Sequence, residues 1–577
     1  MKELRIYFRG YGWISFLAPL CKLIEALLEL AVPLIVARLV DQVMQQAPYQ
    51  KLLIQGGWML ALAFLGLSFS MMGQYFSAKA ATGFADNLGR DLYQHALAMD
   101  QSSYDRLGRT SINTRLSSDL YQILTGLNTF FRLLLRSPFI VFGSMFMAAL
   151  IDWRMTLYFV VMVIILFLIV GGITYFGQAY YQKIQAALDQ LSVQVSQQMK
   201  GLRVIRAFNQ ESKEQADFKA VNSYLTQLQL KAGKLTALTN PLTYLVVNST
   251  LIVILLQGGR FIDRGHLSPG QLVALVNYLL AILVELVKLT KVVLVFNRTQ
   301  TAAHRIVAVL EAPLEDKKLM PGTGLQEGQL LACHQLSFAY PDTGGLALCE
   351  LNFSVNVGDF IGVMGATGSG KTTLIRLLTQ FYQPSQGQIA YNPAYFDLAT
   401  KDTLRQGMAV VLQTARLFKG TVRSNLLLAD PQADDQELWQ ALEIAQAKDF
   451  VADLDQGLDS PILAQGMNLS GGQRQRLVIA RAILAKAPLL ILDAATSALD
   501  YLTEAKLLQA LRKGSPSRTI ILISERPDSL KAADKILLLD QAKQLAFANH
   551  HDLLASQAIY QEIYQLQKGG GGKKDEE

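Results

Sequence analysis

Eight consecutive residues, Gly365-Ala366-Thr367-Gly368-Ser369-Gly370-Lys371-Thr372, follow the strand-like run Asp359–Met364 and precede a helix-favouring run that begins at Thr373. Glycines at these spacings let backbone N–H groups wrap an anion, and a helix starting directly behind them adds the positive end of its dipole. A lysine at position 371 of such a loop reaches the β- and γ-phosphates of a nucleotide, and the hydroxyl of Thr372 is placed to ligate Mg²⁺. A second run, Leu489-Leu490-Ile491-Leu492-Asp493, has the pattern of a buried strand ending in an acid. An apolar run followed by aspartate is common and means little alone. Paired with the glycine-rich loop, it is the usual way to set a carboxylate beside the nucleotide's magnesium. ATP and Mg²⁺ are therefore the expected cofactors, bound by residues 365–373 and Asp493.

These residues need a strand–loop–helix frame, and the chain from about residue 330 onward reads as an ordinary α/β domain with Gly-rich loops. The portion before residue 300 is different. Hydrophobic residues make up 51% of the 577 residues, the mean hydropathy is +0.25, and nearly all long apolar runs fall in that first portion. A membrane span needs roughly 20 mostly apolar residues. Met155–Tyr175 carries no charge and is the clearest span; Trp58–Phe76, Leu133–Ile151, Pro241–Leu256 and Gln271–Val295 are further spans. A first span over Trp13–Val40 is interrupted by Lys22, Glu25 and Glu29, which share one helical face. Two readings of that face are open: an intrahelical charge set that softens its own cost, or a polar stripe lining a water-filled cavity. Glu285 and Lys288 in the last span raise the same question. The stretches Ser77–Phe130 and Phe176–Asn240 are long, polar and helix-favouring, so the spans should extend well beyond the bilayer on the side of the Lys and Arg they carry.

Between the nucleotide loop and Asp493 lies Leu469-Ser470-Gly471-Gly472-Gln473, a turn opening a helix, and after Asp493 comes the run Thr496-Ser497-Ala498-Leu499-Asp500. In this order and context the chain resembles the ATP-binding cassette (ABC) exporters, specifically a half-transporter of the multidrug type, over essentially its whole length. Gly201–Phe208 resembles the second intracellular loop of those exporters, whose coupling helix docks on a cassette, and Ser103–Asp119 resembles the first. The resemblance implies six transmembrane helices with long intracellular extensions over residues 1–312, a linker over 313–329, an α/β P-loop nucleotide-binding domain over 330–568 and a flexible tail over 569–577. It further implies that Tyr340 stacks on adenine, that Gln413 joins Thr372 and Asp493 around Mg²⁺, and that Ser470, Gly471, Gly472 and Gln473 serve the nucleotide held by a partner's loop. Ser497–Asp500 would cross the interface between two cassettes.

Two positions depart from the pattern. Where the family has a glutamate that orients or deprotonates the attacking water, this chain has Ala494, whose methyl group accepts no proton. Where the family has a histidine on the γ-phosphate, it has Glu525, a carboxylate that should point elsewhere or weaken that contact. A deliberate replacement of the glutamate would also give Ala494, but it does not account for Glu525. The loop before the LSGGQ turn differs too, with Ala464-Gln465-Gly466 in place of the common Glu-Arg-Gly. The expectation is one subunit of a heterodimer: this chain's own site binds ATP and hydrolyses it poorly, and its intact LSGGQ completes the competent site of a different half-transporter carrying the glutamate and histidine. Efflux of amphipathic drugs or lipids is the expected activity. Export of a defined peptide, thiol or cofactor, and a non-transporting regulatory subunit, are the alternatives.

The remaining features narrow the class. The net charge of +7 is not gathered into a basic block, so no nucleic-acid partner is expected. Cys21, Cys333 and Cys349 are too few and scattered for a disulfide framework or a metal site. Met1–Gly10 lacks a signal-peptide pattern and reads as a short interfacial helix, with Lys2, Arg5 and Arg9 keeping the amino terminus cytosolic. The expectation is a multi-pass protein, of a bacterial plasma membrane, whose Lys and Arg place the amino terminus and nucleotide-binding domain in the cytosol.

Overall fold

The computed structural model describes residues 3–320, 322–341, 344–514 and 518–569; Lys2 and most of the 569–577 tail fall outside them. The chain forms two compact units, one comprising residues 1–97 and 107–312, the other residues 98–106 and 313–577.

The first unit is helical. A one-turn-and-more 3₁₀ helix, Glu3–Phe8, precedes α1 (Gly12–Met44) and α2 (Tyr49–Ala98). The short α3 (Gln101–Leu107) belongs, up to Arg106, to the second unit; after it the first unit resumes with a nearly continuous rod of α4 (Arg109–Thr114), α5 (Leu120–Thr129) and α6 (Arg136–Ile151), joined by π-helical turns at Arg115–Asp119 and Phe130–Leu134. Then come α7 (Trp153–Lys200), α8 (Leu202–Ala207), α9 (Glu211–Ala237), α10 (Thr239–Asp263) and α11 (Pro269–Leu310). Asp152 caps α7 by accepting from the N–H groups of Arg154 and Met155, which explains how a single residue suffices between α6 and α7. At 50 and 48 residues, α2 and α7 are each about 70–75 Å long, more than twice the roughly 30 Å of a bilayer's hydrocarbon core.

Among the described residues, five helices are long and apolar enough to cross a membrane; they contain the second to fifth expected spans and the sixth as far as Leu289. Of the six expected, the one over Trp13–Val40 is not among them. It does lie in a single 33-residue helix, α1, but Lys22, Glu25 and Glu29 lower its apolar character. Those three charges do not form an open stripe. Arg136 on α6 donates to Glu285 (2.8 Å) and Glu29 (2.6 Å) and lies 3.7 Å from Glu25. Lys22 pairs with Glu25 (2.6 Å) and donates to Ser70 on α2, while Lys288 and Ser137 donate to Glu285 (2.7 and 2.6 Å). The charges expected to be two separate sets are one network of three cations and three carboxylates, joining α1, α6 and α11. This is how buried charge is tolerated: each carboxylate is paired and hydrogen-bonded.

The second unit is built on a nine-stranded sheet of order β4-β1-β2-β11-β10-β3-β9-β8-β5. The strands are β1 (Gln329–Ala339), β2 (Leu346–Asn356), β3 (Phe360–Gly365), β4 (Gln386–Tyr391), β5 (Met408–Val411), β8 (Leu489–Asp493), β9 (Thr519–Ile523), β10 (Lys535–Asp540) and β11 (Lys543–Ala548), with a separate pair β6 (Gly420–Thr421) and β7 (Pro461–Ile462). The central strands β10, β3, β9, β8 and β5 run parallel, and β3, β8 and β9 are buried throughout, as strands covered on both faces must be. Helix α12 (Lys371–Leu378) follows β3. A helical arm of α13 (Lys401–Gln406), α14 (Val422–Leu426), α15 (Asp435–Ile444) and α16 (Lys448–Ala452) precedes α17 (Gly471–Leu484), and α18 (Tyr501–Gly514) follows β8. The linker is bound to this unit rather than free: Glu315 pairs with Arg405, and Lys317 Nζ lies 2.9 Å from Asp402. Cys21, Cys333 and Cys349 are all free thiols.

Candidate functional site

Parallel strands β3 and β8 flank β9, so the loop after β3 and the acid ending β8 emerge at the same edge of the sheet. There, a cavity of about 360 Å³ is lined by Tyr340, Gly368, Gly370, Lys371, Thr372, Thr373, Gln413, Asp493, Ala494 and Glu525. Residues separated by up to 185 positions in sequence thus share one small space. Gly365 and Ser369 sit in the same loop just behind it.

Gly368 and Gly370 have φ of +85° and +102°, left-handed backbone that glycine adopts without strain, and Gly370 is the residue at which α12 begins. Lys371 Nζ donates to the carbonyls of Gly365 (2.7 Å) and Ala366 (2.9 Å), so the loop's own oxygens hold the ammonium across its mouth. Ser369 is buried, and among the described residues its hydroxyl has no hydrogen-bond partner. An orphaned buried hydroxyl inside a glycine-rich loop at the start of α12 fits an anionic ligand such as a nucleotide phosphate chain. Asp493 is buried, and that burial pushes its carboxyl above the ordinary aspartate value, an effect opposed by the nearby charges of Lys371 and Arg376. A carboxylate raised by desolvation, with Thr372 and Gln413 in the same cavity, fits a divalent cation.

Tyr340 lines the cavity beyond the end of β1. Its hydroxyl shares a 3.1 Å hydrogen bond with Thr373 and accepts from Arg376 (3.3 Å), and its ring meets that of Tyr382 edge-on at 5.3 Å. Tyr382 in turn donates to Asp105 of α3 (2.8 Å), which lies in this second unit. Arg376 and Tyr382 are site-supporting residues that the sequence reading missed. A signal was present: Arg376 stands three residues after Thr373 and therefore on the same face of α12.

Ala494 has φ +48°, its N–H donates to Ile523 (3.1 Å), and its carbonyl accepts from Gln475 (3.1 Å). Glu525 does not point elsewhere. Its carboxylate lines the cavity 3.6 Å from Lys371 Nζ, so the expected repulsion of a γ-phosphate is joined by competition for the loop lysine. The neighbouring Arg526 donates to the buried Glu504 (2.8 Å) on α18, which ties the segment after β9 to the one after β8.

Ser470, Gly471, Gly472, Gln473 and Asp500 lie outside this cavity. Ser470 caps α17 in a reciprocal box, accepting from Gln473 N–H (3.2 Å) while its own N–H donates to the Gln473 side chain (2.9 Å). Two residues on, the buried Gln475 bonds the Ala494 carbonyl and accepts from the Ala498 N–H (3.0 Å), which staples the LSGGQ helix to the chain following Asp493. Asp500 caps α18 by accepting from Thr503 N–H (3.0 Å), and that bond holds its carboxyl below the ordinary value.

The family description "ABC transporter transmembrane region" matches residues 15–287, and "ABC transporter" matches residues 348–497. The chain is 29% identical over 574 residues to the uncharacterized ABC transporter ATP-binding protein YfiB of Bacillus subtilis, covering all of both chains. It is 30% identical over 564 residues to an ATP-dependent lipid A-core flippase of Hahella chejuensis, covering 97% of this chain and 96% of that one. A solved bacterial Atm1-family ABC exporter with ATP bound shares the fold, with a TM-score of 0.77 at 23% identity over 100% of this chain and 99% of the other. With a helical membrane region and an ATP-binding domain on one chain, this protein belongs to the ABC transporters as an exporter-type half-transporter.

Proposed function

We propose that this chain is the degenerate-site subunit of a heterodimeric ABC exporter of lipids or amphipathic drugs. The observation that carries the proposal is the pairing of Ala494 and Glu525 within one nucleotide cavity otherwise equipped to bind. Lys371 and the loop N–H groups would hold the phosphates, Tyr340 the adenine, and Thr372, Gln413 and Asp493 the Mg²⁺. When bound, ATP supplies the phosphoanhydride bond whose cleavage drives transport. On this chain no side chain at position 494 can take a proton from water, and Glu525 engages Lys371 instead of stabilising charge on the phosphate.

The partner would supply the glutamate and histidine, and this chain would contribute Ser470, Gly471, Gly472 and Gln473 to the partner's nucleotide, with Asp500 at the interface. Two surface features support a partner. The LSGGQ helix is capped and stapled, yet its four signature residues stand apart from the chain's own cavity. On α8, Leu202, Val204 and the following Phe208 are exposed, an apolar face suited to docking on a cassette. The lipid side of the substrate class is supported by the flippases among the relatives. It is also supported by an apolar cavity of about 390 Å³ between α7 and α11, lined by Phe167, Tyr175 and Leu286 with Gln178 and Asn297 as polar points.

The test traps nucleotide in the purified pair with a photoreactive ATP analogue and scores which chain is labelled after turnover. Retention on this chain, with release from the partner, is expected. Stimulation of the pair's ATPase by lipids and unrelated hydrophobic compounds fits the proposal; stimulation only by a peptide or thiol would replace the substrate class.

A further inference from the structure

Within the first unit, a second cavity of about 630 Å³ lies between the N-terminal 3₁₀ helix and the α2, α5 and α11 helices. That volume is within the roughly 300–1,000 Å³ of small-molecule sites. Its walls are mostly apolar and carry five rings, Phe8, Phe84, Phe130, Phe131 and Phe296, with the buried Leu4 beside them. Phe8 packs on Phe84 at 4.6 Å and on Phe131 at 6.1 Å, and Asn87 on α2 donates to the carbonyls of Tyr7 (3.1 Å) and Arg9 (3.3 Å). The short helix is therefore anchored, and the cavity is built rather than left by a loose end.

The polar groups at its edge differ in kind. The hydroxyls of Ser15 and Thr299 are used locally, donating to Tyr11 (2.9 Å) and Val295 (2.9 Å). Arg5 lines the cavity, is exposed, and has no ion pair among the described residues. The π-helical turn Phe130–Leu134 supplies two of the rings; such turns interrupt a helix at a cost and are frequent at functional sites. Gly126 faces the same space, and a side chain there would collide with Thr299, so α5 and α11 approach each other closely at its floor.

From this arrangement we infer that the cavity binds an anionic membrane phospholipid, with an acyl chain among the phenylalanines and the phosphate on Arg5. Among the described residues the wall has no unsatisfied buried polar atom, which suits a hydrocarbon chain, and the unpaired guanidinium at its rim favours a headgroup of net negative charge over a zwitterionic one whose ammonium offsets its phosphate. The site is distinct from both the nucleotide cavity and the apolar cavity between α7 and α11, and the inference does not depend on what the protein transports.

The experiment uses the full chain, with any partner it purifies with, in nanodiscs containing trace phosphatidylglycerol or phosphatidylcholine bearing a photoreactive group on one acyl chain. Cross-linked peptides are mapped by mass spectrometry. Phosphatidylglycerol should label the segments around Phe8–Ser15 and Ile123–Phe131 at least fivefold more than phosphatidylcholine. Arg5→Gln should bring the two probes to the same level, and Arg5→Glu should reverse the preference. Since Arg5 is exposed, these variants should keep the parent melting temperature. A separate variant, Ser15→Phe, should exclude both probes by filling the cavity. Equal labelling by the two lipids in the parent protein would overturn the inference. So would labelling that Arg5→Gln leaves unchanged, or labelling displaced by free fatty acid but not by unlabelled phosphatidylglycerol.

Discussion

Ala494 lines the nucleotide cavity in a left-handed backbone conformation. Its left-handed φ is fixed from both directions by bonds to Ile523 and Gln475. A glutamate at that position would inherit the geometry without rebuilding the chain. Ala494→Glu combined with Glu525→His is therefore expected to raise hydrolysis at this chain's own site by about 10² or more, measured as phosphate release with the partner's site inactivated. Ala494→Glu alone should recover less, because Glu525 would still compete for Lys371. Asp493 gives a second prediction. Its carboxyl is raised, so its protonated, non-ligating form persists to higher pH than for a free aspartate. As pH falls, the Mg²⁺-dependent part of ATP affinity should weaken earlier than an ordinary carboxylate would allow, while metal-free ATP affinity does not follow. Asp493→Asn should abolish that pH dependence. The loop, Asp493 and the two departures were legible in the sequence because nucleotide chemistry fixes their residue types and spacing. Arg376 left only its spacing from Thr373 as a trace, and Gln475 left none, because a glutamine on a helix gains its meaning from partners that the fold brings in.

At the scale of elements, the joint between α17 and the segment after β8 is the most consequential contact within the second unit. Gln475 is buried and satisfies both the Ala494 carbonyl and the Ala498 N–H, so one amide fixes the LSGGQ helix relative to the chain's own catalytic position. Gln475→Leu leaves two backbone groups unpaired and should cost about 1–3 kcal/mol, read as a lower melting temperature of the nucleotide-binding unit. It should also reduce hydrolysis at the partner's site more than nucleotide binding at this one. The length of the helices was readable from composition, since α2 and α7 follow the apolar runs and their polar extensions. The π-helical turns were not, because the i→i+5 pattern at Phe130–Leu134 leaves no signature in residue type.

For the molecule as a whole, the membrane region is organised around charge as well as apolar packing. Residue type and spacing do not join Lys22, Glu25 and Glu29 to Glu285 and Lys288, because the link is Arg136, near the start of another span. With its side chain 11% exposed and three carboxylates around it, Arg136 is the keystone of that network. Arg136→Leu would leave the buried Glu285 with Lys288 and Ser137 alone and remove the cation paired with Glu29, at a cost of up to about 3 kcal/mol, and should lower the thermal stability of the detergent-solubilised protein. Adding Glu285→Gln should recover part of the loss, since it removes the most deeply buried of the three charges.

The heterodimer with one weak site is the central claim, and steady-state ATPase activity tests it most directly. The chain would be assayed alone and with each candidate half-transporter, in nanodiscs under saturating MgATP. Turnover near zero alone, robust turnover in one pairing, and loss of that turnover when the partner's catalytic glutamate is changed to glutamine are predicted. Strong turnover by this chain alone would contradict the account, since neither Ala494 nor Glu525 could then be the reason for a silent site.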